Sequence, residues 1–286
     1  MAVITNILFP VDFSPSCVAM AAYVRRAAVL FHARVSLIHV IDLVSHNGFE
    51  LYLRATPDIS EEHRAIGQQR LDSFLATEFP VAQNPRMLAF GDAATEIAAA
   101  ARNGKFNLIV MPTHAGAFRQ MLLGSTTAKV LNDADCPVLT STHAETIAPR
   151  PLEHRQWLCA VGLSSNSERV LRFATTAAAG IEARLAVIHA VQSSEPDSLI
   201  KLEIEEESVE MREALQRIAD LQRTVGSNAP VRFAVGSVKQ ALLEATRQAD
   251  ADVLIIGRSP RSGALGRMRD LTYAMVRDSP YPVLSV

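Results

Sequence analysis

The chain has 286 residues, a net charge of −2, 49% apolar residues and 20% charged residues. Single domains usually span about 100–200 residues, so this composition supplies two globular cores. The near-neutral balance offers no global basic field for nucleic acid or an anionic membrane surface. The three cysteines, Cys17, Cys136 and Cys159, are far apart and form no CxxC pair, which fits a reducing, cytoplasmic setting. No run approaches the ~18 apolar residues of a membrane span, and the N-terminal MAVITNILFPVDFS reads as a first strand rather than a leader.

In chain order, short apolar and β-branched runs predict strands over 4–11, 34–41, 86–90, 107–111 and 137–141. Between them, helical patterns cover 15–31, 60–79, 93–103 and 125–133. Ser14 reads as an N-cap ahead of Pro15, and Ser60, followed by Glu61 and Glu62, as a helix start. The polar segment 143–155, with Pro149 and Pro151, reads as a linker. The pattern then repeats. ILFPVDFS (7–14) matches WLCAVGLS (157–164) at an offset of 150, as ARVSLIH (33–39) matches ARLAVIH (183–189). Farther on the offset is 145, pairing Gly91 with Gly236, NLIVM (107–111) with DVLII (252–256), and CPVLTS (136–141) with YPVLSV (281–286). A second-copy helix is expected within 197–225, after one that ends at Gly180. Strand–helix alternation implies right-handed crossovers and a doubly wound parallel sheet in each half. The expected division is a first domain over 1–144, a linker over 145–154 and a second domain over 155–286.

Ligands of such sheets bind beyond the carboxyl ends of the strands. At the end of the first strand stands Pro10-Val11-Asp12-Phe13-Ser14, whose acid suits either a ribose hydroxyl or the turn itself. After the fourth strand comes a loop from Pro112 through His114, Ala115 and Gly116 to Gly124-Ser125-Thr126, just ahead of a helix. Bare amides, hydroxyls and the helix dipole make that junction either an anion site or an ordinary Ser/Thr cap. The eight histidines show no metal-ligand spacing, so no metal site is expected. His39 and His189 occupy equivalent strand positions and read as satisfied core residues. Cys136 and Cys159 read as buried strand residues, and Ser164-Ser165-Asn166-Ser167 as a helix cap. No nucleophile–base set emerges, so no catalytic residue is named.

PVDFS, LIHVID and MPTH…LLGSTTAKVLNDADCPVL resemble the universal stress protein family, and the resemblance recurs in each half, as in its tandem two-domain members. It implies an α/β fold of two five-stranded parallel-sheet domains in the order 3-2-1-4-5, like adenine nucleotide alpha hydrolases. It further implies a cytoplasmic stress-response regulator binding ATP or another adenine nucleotide, with Mg²⁺ arriving only through the nucleotide and at most slow hydrolysis. By that resemblance Asp12 contacts the ribose beside Pro10, and Val40 lies against adenine. The phosphate loop maps to Pro112, Ala115, Gly124 and Ser125, with His114, Gly116 and Thr126 alongside. Pro112 and Ala115 stand where the family's loop has glycines, and eight residues separate Ala115 from Gly124. The second half departs further, with Gly162 in the place of Asp12, and Arg269-Asp270 in the place of Gly124-Ser125. Arg258, Arg261, Arg267 and Arg269 read as a solvated loop there. The alternative reading is a nucleotide-free interaction module. Its apolar last strands pair the two domains within the chain, with a homodimer or protein partner beyond.

Overall fold

The structure, a computed structural model, describes residues 4–41, 57–113, 123–141, 155–192, 209–258 and 266–286. They fall into two compact units, the first built on Ile4–Leu139 and the second on the chain from Arg155 to Val286.

In the first unit the strands are β1 (Asn6–Pro10), β2 (Arg34–Ile41), β3 (Arg86–Phe90), β4 (Leu108–Pro112) and β5 (Val138–Ser141). The helices are α1 (Pro15–Phe31), α2 (Pro57–Ser73), α3 (Ala93–Asn103) and α4 (Ser125–Asp133). The second unit contains β6 (Gln156–Ala160), β7 (Arg184–Gln192), β8 (Val231–Gly236), β9 (Val253–Ile256) and β10 (Val283–Ser285). Its helices are α5 (Ser167–Gly180), α6 (Val209–Val225), α7 (Val238–Gln248) and α8 (Gly266–Asp278). The strand order is β3-β2-β1-β4-β5 in the first unit and β8-β7-β6-β9-β10 in the second, so both follow 3-2-1-4-5.

Local chemistry accounts for the helix boundaries. Ser14 caps α1 by accepting from the Cys17 amide at 3.3 Å, Pro15 sits where a missing N–H costs nothing, and His32 closes the helix at φ 51°. Asp92 caps α3 through the Thr95 amide at 3.0 Å. Helix α2 begins at Pro57, three residues ahead of the Ser60 start predicted from sequence, because proline is itself a favoured first-turn residue. It ends at Ser73, and 74–79 form turns. Of the helix expected within 197–225, the described part is Val209–Val225.

The duplication extends to hydrogen-bond register. Asn6 pairs with Arg34 and Gln156 with Arg184, both at the offset of 150. Ile7 pairs with Leu108 and Trp157 with Val253, while Leu37 pairs with Arg86 and Val187 with Val231. The five-residue shift therefore falls between β2 and β3. Backbone outliers repeat as well: Phe13 and Leu163 have φ of 63° and 52°, and His32 and Glu182 have 51° and 58°. Gly91 and Gly236, at 141° and 142°, hold a conformation open to glycine alone.

Each unit has its own core. Ile7, Leu8 and Phe9 of β1 are fully buried, as are Leu158 and Cys159 of β6, with Trp157 at 1% exposure. Leu158→Ala is expected to lower stability by about 2–5 kcal/mol, whereas Leu215→Ala on the exposed face of α6 changes it by less than about 0.5 kcal/mol. Denaturant unfolding followed by the fluorescence of Trp157, the single tryptophan, measures both. Equal effects would contradict the packing.

Candidate functional site

The first unit opens between β1 and β4. These strands pair at Ile7–Leu108 and Leu8–Ile109, whereas β1 and β2 stay in register over five positions. At the entry end Asn107 Oδ1 accepts from the Thr5 and Asn6 amides at 2.9 and 3.0 Å, pinning the two strands together. At the exit end the chain leaves β1 into α1 and β4 toward α4, and a cleft with about 710 Å³ of empty space lies between. Pro10, Asp12, Val40, Pro112, Gly124, Ser125 and Thr126 all line it. The structure thus gathers seven residues singled out by the sequence at one place. His114, Ala115 and Gly116 lie outside the described residues.

Gly124, not a serine or threonine, is the N-cap of α4, and no side chain caps that helix. Its amide donates to the Thr113 carbonyl at 3.0 Å. The next three amides, of Ser125, Thr126 and Thr127, have no intrahelical acceptor by geometry. They form a patch of partial positive charge reinforced by the helix dipole. The Thr127 hydroxyl instead donates to the Pro112 carbonyl at 3.1 Å, tying the start of α4 to the end of β4. Lys129, one turn on, reaches Asp92 Oδ2 at 2.8 Å and links α4 to the cap of α3. The Lys129 ammonium and the Thr95 amide hold the Asp92 carboxyl at about 2. A depressed value means that this contribution is complete above the ordinary carboxylate range and fades as pH falls toward 2.

On the opposite wall, Asp12 Oδ1 accepts from the Ser14 amide and from Cys17 Sγ, both at 3.0 Å. Neighbouring residues partly desolvate the carboxyl and oppose its charge, but donation from Ser14 and Cys17 outweighs this and keeps its pKa below the ordinary value. Burial first, and then the Asp12 charge, push the Cys17 thiol up to about 12. His39 Nδ1 lies 2.8 Å from the Val11 carbonyl, which only accepts, so Nδ1 carries the proton and Nε2 is the lone-pair nitrogen. Burial, seconded by Arg70, lowers its pKa and keeps the imidazole neutral at pH 7. Its ring packs on Phe13 at 4.3 Å, and the Arg70 guanidinium also lies over the Phe13 ring at 4.3 Å.

The second unit keeps the frame and loses much of the chemistry. Its cleft, of about 650 Å³, is lined by Gly162 where the first has Asp12, by Leu271 for Thr126, and by Ala190 for Val40. The supporting bonds survive: His189 Nδ1 is 2.7 Å from the Val161 carbonyl, Thr272 donates to the Gly257 carbonyl at 3.3 Å, and Asp252 pins the strand starts. Several details differ from the sequence expectation. Asn166 is the N-cap of α5 but caps with its side chain no amide of that helix; it donates to the Arg258 carbonyl at 2.8 Å. Arg258 is buried at 8% exposure, and its amide donates to the Val286 carbonyl at 2.7 Å. The side chains of Arg261, Arg267 and Arg269 lie outside the described residues. Cys136 precedes β5 and is half-buried, since the strand starts only at Val138.

Cys17, His39 and Thr127 were not assigned to the site from sequence. A signal for Thr127 existed, because Thr272 repeats it at the offset of 145. Thr127→Val removes a buried hydrogen bond and is expected to lower stability by about 1–3 kcal/mol in denaturant melts. Burial raises the Cys17 and Cys159 thiols and shields both from solvent, so neither is a ready nucleophile in the folded chain. Iodoacetamide at pH 8 should therefore modify native protein at Cys136, with Cys17 and Cys159 reacting after denaturation. Peptide mass mapping that found Cys17 modified in the folded chain would contradict this geometry.

The model of the Universal stress protein family matches residues 4–141 and again 154–286. A universal stress protein of Methanocaldococcus jannaschii is 33% identical over 143 residues, covering 47% of this chain and 79% of that protein. Universal stress protein A homolog 2 of Coxiella burnetii is 28% identical over 107 residues, covering 37% and 73%. The crystal structure of a universal stress protein from Archaeoglobus fulgidus superposes with a TM-score of 0.70 at 21% identity, covering 98% of this chain and 97% of that one. Family match, repeat and topology agree: the chain belongs to the universal stress protein family and carries its domain twice in tandem.

Proposed function

We propose that the protein is a stress-response regulator whose first unit binds an adenine nucleotide, ATP in particular, in the cleft between β1 and β4. The observation that carries this reading is the facing of two complementary groups across one opening: the Asp12 carboxylate and the uncapped start of α4. A carboxylate held in its charged form accepts the two hydroxyls of a ribose, and the Ser125–Thr127 amides receive phosphate oxygens. Val40 supplies an apolar contact for the base. Pro10 and Pro112 shape the walls, and Pro112 contributes no N–H, so phosphate binding falls to the α4 end and to the segment containing His114, Ala115 and Gly116. Mg²⁺ enters with the nucleotide.

The second unit is assigned no nucleotide, because Gly162 cannot replace the acid. His39 keeps Nε2 as its lone-pair nitrogen, but burial lowers its pKa and so weakens it as a base for hydrolysis. The protein therefore acts as a binding module rather than as an efficient ATPase.

Thermal unfolding with and without Mg²⁺–ATP tests the assignment. At 100 times the dissociation constant the ligand adds about 2.7 kcal/mol of stability. Asp12→Ala and Gly124→Val are expected to abolish the gain. Gly162→Ala is expected to leave it intact, a fair control because the added methyl meets nothing within 4 Å. A wild-type chain unmoved by Mg²⁺–ATP, or equal losses in both halves, would overturn the proposal.

A further inference from the structure

Cys17 is buried at 2% exposure in the first turn of α1 and lines the same cleft as Asp12. Its sulfur lies 3.0 Å from Asp12 Oδ1 and 3.9 Å from the Pro10 carbonyl. At 3.0 Å the carboxylate contact is short for sulfur, and a carboxylate is the better acceptor, so the thiol proton is directed to Asp12. The Ser14 amide donates to the same oxygen. These two donors meet on Oδ1, and the Ser14 side chain adds a further hydrogen bond to the carboxyl.

The second unit supplies a control within one chain. At the offset of 150, Asp12 becomes Gly162 and Cys17 becomes Ser167. With no carboxylate to serve, the buried Ser167 hydroxyl instead accepts from the Ser164 amide at 2.9 Å. A side-chain donor at this helix position is aimed at the acid only where the acid is present.

We propose that Cys17 is a positioning residue of the cleft, whose thiol donates to Asp12 Oδ1 and so fixes the orientation of the carboxylate that meets a sugar hydroxyl of the ligand. The ligand half of this statement rests on the nucleotide reading above; the thiol–carboxylate half does not. The thiol serves as an immobile donor and not as a nucleophile. Its raised pKa fits that role, because a thiolate beside Asp12 would repel the carboxylate and give it nothing.

The 286-residue chain and its Cys17→Ala and Cys17→Ser variants separate the two halves. Carbon-13 NMR titration of labelled aspartates, with Asp12 assigned from Asp12→Asn, follows the carboxyl directly. In Cys17→Ala the Asp12 titration is expected to move up in pH, and in Cys17→Ser, which retains a donor, to return toward wild type. Mg²⁺–ATP affinity by calorimetry is expected to fall roughly three- to tenfold in the alanine variant, the worth of one lost hydrogen bond, and to recover in the serine variant. An unchanged Asp12 titration in Cys17→Ala, or a serine variant no better than alanine, would overturn the proposal. Wild-type protein that binds no ATP sinks the nucleotide reading alone, and the titration still decides the thiol–carboxylate half. Should the alanine variant not fold, the S–H stretching band decides. In Asp12→Ala it should shift upward from the wild-type position as the thiol loses its carboxylate acceptor, and a band that stays put refutes the bond.

Discussion

The organising constraint is the short pairing of β1 with β4. Two parallel strands whose helices leave toward opposite sides of a sheet cannot remain zipped at their carboxyl ends, since each connection must turn away to cover its own neighbour. Here the pairing is held at Ile7–Leu108 and Leu8–Ile109 and pinned from below by Asn107, and everything above it is free to part. The cleft therefore follows from the topology. What the topology leaves open is the lining, and there the two units differ.

Comparison of the halves separates frame from chemistry. The histidine that braces the first turn, the threonine that ties the last helix to its strand, and the side chain that closes the sheet below recur as His39 and His189, Thr127 and Thr272, Asn107 and Asp252. These hold backbone to backbone and are needed whatever the cleft contains. Asp12, Val40 and Thr126 instead give way to Gly162, Ala190 and Leu271, changes that tilt the second cleft toward small and apolar walls. Residues that support the turn recur in both halves, while residues that face the opening differ.

Much of the architecture was legible in sequence, because buried parallel strands write nearly continuous apolar runs and because a duplicated chain reads itself twice. Strand β2 and helices α1, α3 and α4 fall at their predicted bounds. The first turn of α2 was missed, since Pro57 starts a helix as readily as Ser60 does. The lining of the cleft was legible in outline, since seven of the residues named from sequence between Pro10 and Thr126 meet there. Its interior was not: Cys17 sits in a helix of small apolar residues, and the turn from β1 into α1 brings its sulfur to Asp12 five residues back. Arg258 read as solvated in a run of arginines, and its burial is a tertiary outcome that the run itself does not carry.

Phe13 and Leu163 both adopt left-handed backbone angles, at a cost of order 1 kcal/mol or more for side chains of their size. Such outliers are often taken as marks of an active centre. Here the same contortion persists beside Gly162, where the acid has gone, so it belongs to the corner through which a strand enters a helix and not to any bound molecule. A duplicated protein can in this way sort its own strain: what both copies bear is the toll of the bend, whatever lines the cleft beside it.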